Sequence, residues 1–242
     1  MIHNHPMDTA IVTGATRGIG FSIAKALLQA GGRVMITGRS QDGVDKALSQ
    51  LAAFADDSTC LAGMAVDVRD RAAVEGMVAD TVTRFGSLTT LINNAGVGAF
   101  SEVEQTSDED WHRVIDTNLT GVFYCSRAAI PVLKAAGRGW IINIASLAGR
   151  NYFANGAAYC ASKAALVAFS EAMMIEVRHD GIRVRVVMPG SVATDFMGPS
   201  GSRPDESWKL TGDDVAEVVM DLLRHPARSL PSKVEIRPAR TK

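Results

Sequence analysis

Short apolar runs recur along this chain, each followed by a longer segment with apolar residues at helical spacing. That alternation limits the fold more than any other feature. Ala10-Ile11-Val12, Val34-Met35-Ile36, Leu61 to Val66, Leu88 to Ile92, Trp140 to Ile144, Val184 to Val187 and Val234-Glu235-Ile236 read as strands. Between them Gly18 to Ala30, Val44 to Phe54, Arg71 to Arg84, Asp108 to Ala136, Gly156 to Arg178 and Asp213 to Arg224 read as helices. Gly31-Gly32 stops the first helix, and Thr211 is placed to cap the last. Pro131 predicts a kink or a split in the long one. Strands apolar at almost every position are buried on both faces, as in a parallel sheet covered by helices on each side. Right-handed crossovers then make the sheet doubly wound, with about seven strands in one α/β domain. From Ser191 to Thr211 the rhythm breaks: Gly, Pro and Ser accumulate around Phe196, Met197 and Trp208. A loop of that length in a compact domain is either a functional lid or disordered, and residues 191–211 are read as a substrate lid, with residues 1–7 as a tail.

The 242 residues are 47% hydrophobic and 21% charged, with a formal charge of −1, so no basic field attracts nucleic acid or an anionic membrane surface. Cys60, Cys125 and Cys160 are too few and too irregularly spaced for a disulfide framework or a zinc site. Met1 to Pro6 show no basic segment followed by an apolar run, and no stretch approaches the roughly 18 apolar residues of a membrane span. The expectation is a soluble cytoplasmic protein with no metal, nucleic-acid or membrane partner.

Thr13-Gly14-Ala15-Thr16-Arg17-Gly18-Ile19-Gly20 lies where the first strand turns into the first helix. Glycines there let the backbone approach a pyrophosphate, and the helix start offers unpaired N–H groups and a positive dipole. Glycines also make ordinary tight turns; the strand before and helix after favour the nucleotide loop. The second strand ends Thr37-Gly38-Arg39-Ser40, with no carboxylate where an NAD site would hold the ribose hydroxyls. Gly38 is expected to leave room for a 2′-phosphate, with Arg39 pairing to it and Arg17 adding charge from the other side, which selects NADP(H). The plainer alternative is two solvated arginines.

Tyr159 and Lys163 are four apart in a helical stretch and share a face. A nearby ammonium and an oxidised nicotinamide ring are expected to lower the tyrosine pKa from about 10 and fit it for acid–base work. The alternative is a core tyrosine beside a snorkelling lysine. Ser146 ends the fifth strand, where it can donate to a substrate oxygen or simply cap a turn. Asn118 falls inside the long helix and either holds a water that relays protons to Lys163 or bonds to a backbone carbonyl. Asn94, Ala95 and Gly96 close the fourth strand with small residues against a cofactor. Asp67 is placed to accept from an adenine amino group, or it or Asp70 to cap a helix.

In this order, TGATRGIG at Thr13–Gly20, DV at Asp67-Val68, NNAG at Asn93–Gly96, Asn118, IAS ending at Ser146, YCASK at Tyr159–Lys163 and PGSVAT at Pro189–Thr194 resemble the short-chain dehydrogenase/reductase family across essentially the whole chain. Members resembled include NADPH-dependent 3-oxoacyl-[acyl-carrier-protein] reductases. The resemblance implies a Rossmann fold and a proton-relay tetrad of Asn118, Ser146, Tyr159 and Lys163. It implies that Lys163 also holds the nicotinamide ribose, and that Pro189, Gly190, Val192 and Thr194 fix the carboxamide and pyrophosphate. It also associates Arg17 and Arg39 with NADP, and suggests a homo-oligomer, tetramer or dimer, formed by Asp108–Ala136 and Ala157–Arg178.

Leu147, Gly149, Asn151, Tyr152, Phe153, Phe196, Met197 and Trp208 are expected around the substrate, a small-molecule or acyl-carrier-linked carbonyl compound. They either meet that ligand or pack against the body of the protein. An NADP-dependent alcohol dehydrogenase working oxidatively would use the same residues. An extended epimerase needs a longer substrate domain, and a redox-inactive NADP sensor should have lost Tyr159 or Lys163.

Overall fold

The computed structural model describes residues 9–194, 196, 206–226 and 228–240. Its strands are β1 (Thr9–Val12), β2 (Arg33–Gly38), β3 (Leu61–Ala65), β4 (Thr90–Asn93), β5 (Gly139–Ile144), β6 (Ile182–Pro189) and β7 (Lys233–Ile236). They form one seven-stranded sheet in the order β3-β2-β1-β4-β5-β6-β7, with every pairing parallel. The chain winds outward from β1 in one direction, then returns and winds outward from β4 in the other, so the doubly wound Rossmann expectation holds.

Alternation along each strand divides two cores between the sheet's faces. Ala10 and Val12 of β1 face one side, packed with α1 (Gly18–Gln29), α2 (Gln41–Leu51) and α7 (Gly212–Arg224). Ile11 faces the other, packed with α3 (Arg71–Phe85), α5 (Gly121–Ala135) and α6 (Ala157–Val177). Side-chain caps start several helices: Ser40 accepts from Gly43 N–H for α2, and Asp70 from Ala72 and Ala73 N–H for α3. Thr211 is the N-cap of α7, as its position predicted, and forms a full capping box with Asp214.

The long helix is broken, though not at Pro131. α4 (Asp108–Ile115) passes into a wide turn with i→i+5 hydrogen bonding over Asp116–Thr120, and α5 continues with Pro131 inside it. Elsewhere the differences are at boundaries: β4 starts at Thr90 rather than Leu88, and the α2 segment starts at Gln41 and ends in a tight turn over Ala52–Phe54. In the expected lid, Val192 bridges Leu210, with Ala193 N–H donating to the Leu210 carbonyl. Residues 195 and 197–205 of that segment, and the tail at 1–7, lie outside the described residues. Among the described residues no helix is long and apolar enough to cross a membrane.

Candidate active site

A cleft of about 1410 Å³ opens along the carboxyl ends of β1, β2, β4, β5 and β6, across the point where the winding reverses. It exceeds the roughly 300–1,000 Å³ of a pocket for one drug-sized ligand, leaving room for two reactants side by side.

Its first wall is the glycine loop. Gly14 and Gly18 have positive φ, at 64° and 58°. Thr13 Oγ1 accepts from the N–H of Asn94 (3.0 Å) and of Ala95 (3.1 Å), and Asn94 Nδ2 donates to the Thr13 and Gly14 carbonyls. The β1 and β4 loops are thereby sewn together, and a Cβ on Gly14 would lie 2.8 Å from Ala95 Cα. Gly14, Thr16, Arg17, Gly18, Ile19, Asn94, Ala95 and Gly96 line the cleft. Gly20 does not: it is buried, and a Cβ there would strike the Asn94 amide. Gly20 serves packing between protein segments. Gly38 does line the cleft, beside Arg39, and a Cβ there would strike the Thr16 methyl group.

The residues fit a dinucleotide at one decisive place. α1 begins at Arg17 without a side-chain cap and with no acid in its first turn, whereas α2, α3, α4 and α7 are capped by Ser40, Asp70, Ser107 and Thr211. The first N–H groups of α1 therefore face the cleft still needing an acceptor. Arg17 and Arg39 are exposed on its rim, joined by Lys46 from α2, which the sequence reading missed. Asp67 and Val68 line the same end, but the Asp67 carboxylate is gripped by Arg69 through Nε (3.0 Å) and Nη2 (2.6 Å). That pairing, with Arg39 adding its charge, holds the Asp67 carboxyl below the usual range. The helix-capping role belongs to Asp70.

At the other end Ser146, Tyr159 and Lys163 converge. Ser146 caps the turn, its oxygen accepting from Ala148 N–H at 3.1 Å, and its side chain also lies within hydrogen-bond reach of Tyr159. Lys163 is 4% exposed, and its Nζ donates to the Ile144 carbonyl at 2.9 Å, 5.9 Å from the centre of the Tyr159 ring. Burial pushes the Lys163 ammonium down to about 8. Burial also raises the Tyr159 pKa, with Ser146 pulling it partly back, so the expected lowering by Lys163 is not what governs the phenol here.

Asn118 is fully buried and does not line the cleft. Its Oδ1 accepts from Val97 N–H (2.8 Å), and its Nδ2 donates to the Val97 carbonyl (2.9 Å) and to Ser162 Oγ (3.0 Å). Ser162 Oγ–H in turn donates to the Tyr159 carbonyl at 2.7 Å. The side chain thus bonds to the Val97 backbone and ties the β4 loop to the helix carrying Tyr159. Pro189, Gly190, Val192 and Thr194 line the cleft, with the Thr194 methyl against Gly18.

Of the expected substrate residues, Leu147, Asn151, Phe153, Phe196 and Trp208 line the cleft. Gly149 instead packs against the Lys163 backbone, Tyr152 is exposed outside it, and Met197 lies outside the described residues. Phe100 was missed: its ring centre lies 5.6 Å from that of Tyr159.

The short chain dehydrogenase family model matches residues 8–205. A putative ketoacyl reductase of Streptomyces coelicolor is 37% identical over 215 residues, 86% of this chain and 79% of that protein. A 3alpha-hydroxysteroid dehydrogenase of Mediterraneibacter gnavus is 36% identical over 188 residues, 78% and 75% of the two chains. Among solved structures, an alcohol dehydrogenase of the archaeon Thermococcus sibiricus complexed with 5-hydroxy-NADP superposes with a TM-score of 0.89 at 30% identity, covering 98% of each chain. Actinorhodin polyketide ketoreductase with NADPH gives 0.86 at 30% identity, again over 98% of each. By fold, by the grouping of its site residues and by these matches, the chain belongs to the short chain dehydrogenase family of oxidoreductases.

Proposed function

We propose that the chain is an NADPH-dependent reductase of a ketone or aldehyde, with Tyr159 as the proton donor. The observation that carries this reading is the meeting of Ser146, Tyr159 and Lys163 at one end of a cleft whose other end is an uncapped helix start with basic residues on its rim. The uncapped N–H groups of α1 hold the pyrophosphate, Arg17, Arg39 and Lys46 the 2′-phosphate, and Asp67 and Val68 the adenine side. Asn94, Ala95 and Gly96 form the floor, and Pro189, Gly190, Val192 and Thr194 the nicotinamide end. When bound, NADPH supplies the hydride that the carbonyl carbon accepts, leaving as NADP⁺ while the carbonyl becomes a hydroxyl.

The protein residues manage the oxygen. Ser146 orients it, and the Tyr159 hydroxyl gives it a proton as negative charge builds. The Lys163 ammonium stabilises the phenolate left behind, and Asn118 acts as a positioning residue through Ser162 and the Tyr159 carbonyl. The same residues serve alcohol oxidation in reverse. Burial raises the Tyr159 pKa and keeps the phenol protonated, the form in which it donates. The substrate is a small or acyl-carrier-linked carbonyl compound beside Leu147, Phe153, Phe196 and Trp208. Exposed Trp111, Phe123 and Ile175 on α4, α5 and α6 give a homodimer or tetramer its contact face, and three free cysteines fit a cytoplasmic location.

The test follows NADPH consumption across β-keto esters, quinones and bulky ketones, with NADPH binding measured alongside. Consumption with at least one class is the expected result. Binding without any consumption would replace the reductase with an NADP sensor.

A further inference from the structure

Three phenylalanines from three separate loops line the cleft beside the Tyr159 ring. Phe100 comes from the β4–α4 loop, Phe153 from the β5–α6 loop and Phe196 from the segment after β6, and all line the cleft. The ring centres of Phe100 and Phe196 each lie 5.6 Å from that of Tyr159, tilted by 59° and 54°, and Phe153 lies 6.0 Å from Phe100. These are the separations and tilts at which aromatic rings attract through their quadrupoles. The rings nevertheless stay 37%, 49% and 41% exposed, so each keeps much of its apolar surface open for a further partner.

Their seating is built into the backbone. A Cβ on Gly98 would lie 2.6 Å from Phe100 Cε2 and 3.1 Å from Phe196 Cε1, and one on Gly156 would lie 2.8 Å from Phe153 Cζ. Glycine at both positions lets the rings rest on main chain. The surface cations nearby are already paired, Lys209 with Glu206 at 2.6 Å and Arg237 with Glu235 at 2.8 Å, while the Lys163 ammonium is committed to the Ile144 carbonyl and the Tyr159 phenolate. A carboxylate or phosphate beside the substrate carbonyl would be desolvated there with no cation reserved for it.

We infer, resting on the reductase reading above, that the pocket formed by Phe100, Phe153 and Phe196 over Tyr159 selects a neutral carbonyl compound with an aromatic ring next to the carbonyl. The ring completes an aromatic cluster already arranged around the proton donor. A saturated ring of equal size buries similar area without the ring–ring term.

Acetophenone and cyclohexyl methyl ketone share one carbon skeleton and separate these cases. Binding of each to the full chain with NADP⁺ is measured by ligand-observed NMR, and NADPH consumption is followed in parallel. The expected dissociation constant for acetophenone is roughly tenfold smaller, with the preference shrinking toward equality in Phe100→Leu and in Phe153→Leu; the latter side chain is exposed enough to be replaced without unfolding the chain. Equal affinities, or a preference untouched by both substitutions, would overturn the aromatic assignment even if both ketones are reduced. Absence of NADPH consumption with both ketones and with the wider carbonyl panel would overturn the reductase reading, and this substrate assignment with it.

Discussion

Lys163 bears a large electrostatic cost for its place in the site. Its ammonium is almost completely buried with one backbone carbonyl as hydrogen-bond partner, and burial lowers its pKa from 10.5 to about 8. Between those values the unfolded chain binds more protons than the folded one, so this group makes stability rise with pH across that window. Below about 8 both states are protonated and the whole penalty of the buried charge is present. A Lys163→Met variant is therefore inactive but gains most relative to the parent near pH 7. That relative gain is smaller by about 3 kcal/mol at pH 10.5. Urea unfolding of both proteins at a series of pH values checks this, and a stability difference that stays flat from pH 7 to 10.5 contradicts the buried-charge account. The pairing of Tyr159 with Lys163 was legible from their four-residue spacing. The direction of the phenol's shift was not, because spacing gives proximity and says nothing of how much water the fold removes. Phe100 escaped notice for a related reason: what brings it to Tyr159 is the backbone path at Gly98, which no local pattern encodes.

At the scale of elements, β6 contains the clearest departure from the expected pattern. Val184 to Val187 reads as an apolar strand, yet Arg185 in its middle is fully buried, and its three guanidinium nitrogens have no hydrogen-bond partner. Its neighbour Arg183 stacks on Trp140 of β5, 5.1 Å from the ring centre. Arg185→Met keeps the length of the stem and removes the unanswered charge, so it should raise stability by ~1–3 kcal/mol. A melting or denaturant measurement showing a loss of similar size would mean the guanidinium is supporting the strand. The helices were more legible than their breaks. Thr211 announces the start of α7 because an N-cap is a local arrangement, and the structure adds Asp214 to complete a capping box. The wide turn at Asp116–Thr120 carries no such signal; Pro131 was the visible breaker, and the break falls instead where Asn118 reaches across to Val97.

At the scale of the whole molecule, strand order converts separate loops into one cleft. β1 and β4 are adjacent although three crossover connections lie between them, so the glycine loop and the Asn94–Gly96 turn meet through the pairing of these two strands. The repeated strand–helix pattern made that architecture readable in advance, since nearly continuous apolar strands have few other solutions. A ligand spanning the cleft should stabilise the entire domain. NADPH at 100 times its dissociation constant is expected to add about 2.7 kcal/mol, seen as a raised melting temperature, with NADH much weaker at the same concentration. In Arg39→Asp the order should move toward NADH, as the new carboxylate repels a 2′-phosphate and accepts from ribose hydroxyls. An unchanged NADPH-to-NADH ratio in that variant would remove Arg39 from cofactor selection.

The most direct measurement of the central claim is turnover by Tyr159→Phe beside its NADPH-induced melting shift. Replacing the phenol removes the proton donor and leaves the ring packed between Phe100 and Phe196. The expected result is a fall in ketone reduction by about 10²–10⁴-fold with the NADPH shift retained. Reduction within a few-fold of the parent enzyme would show that the proton comes from elsewhere.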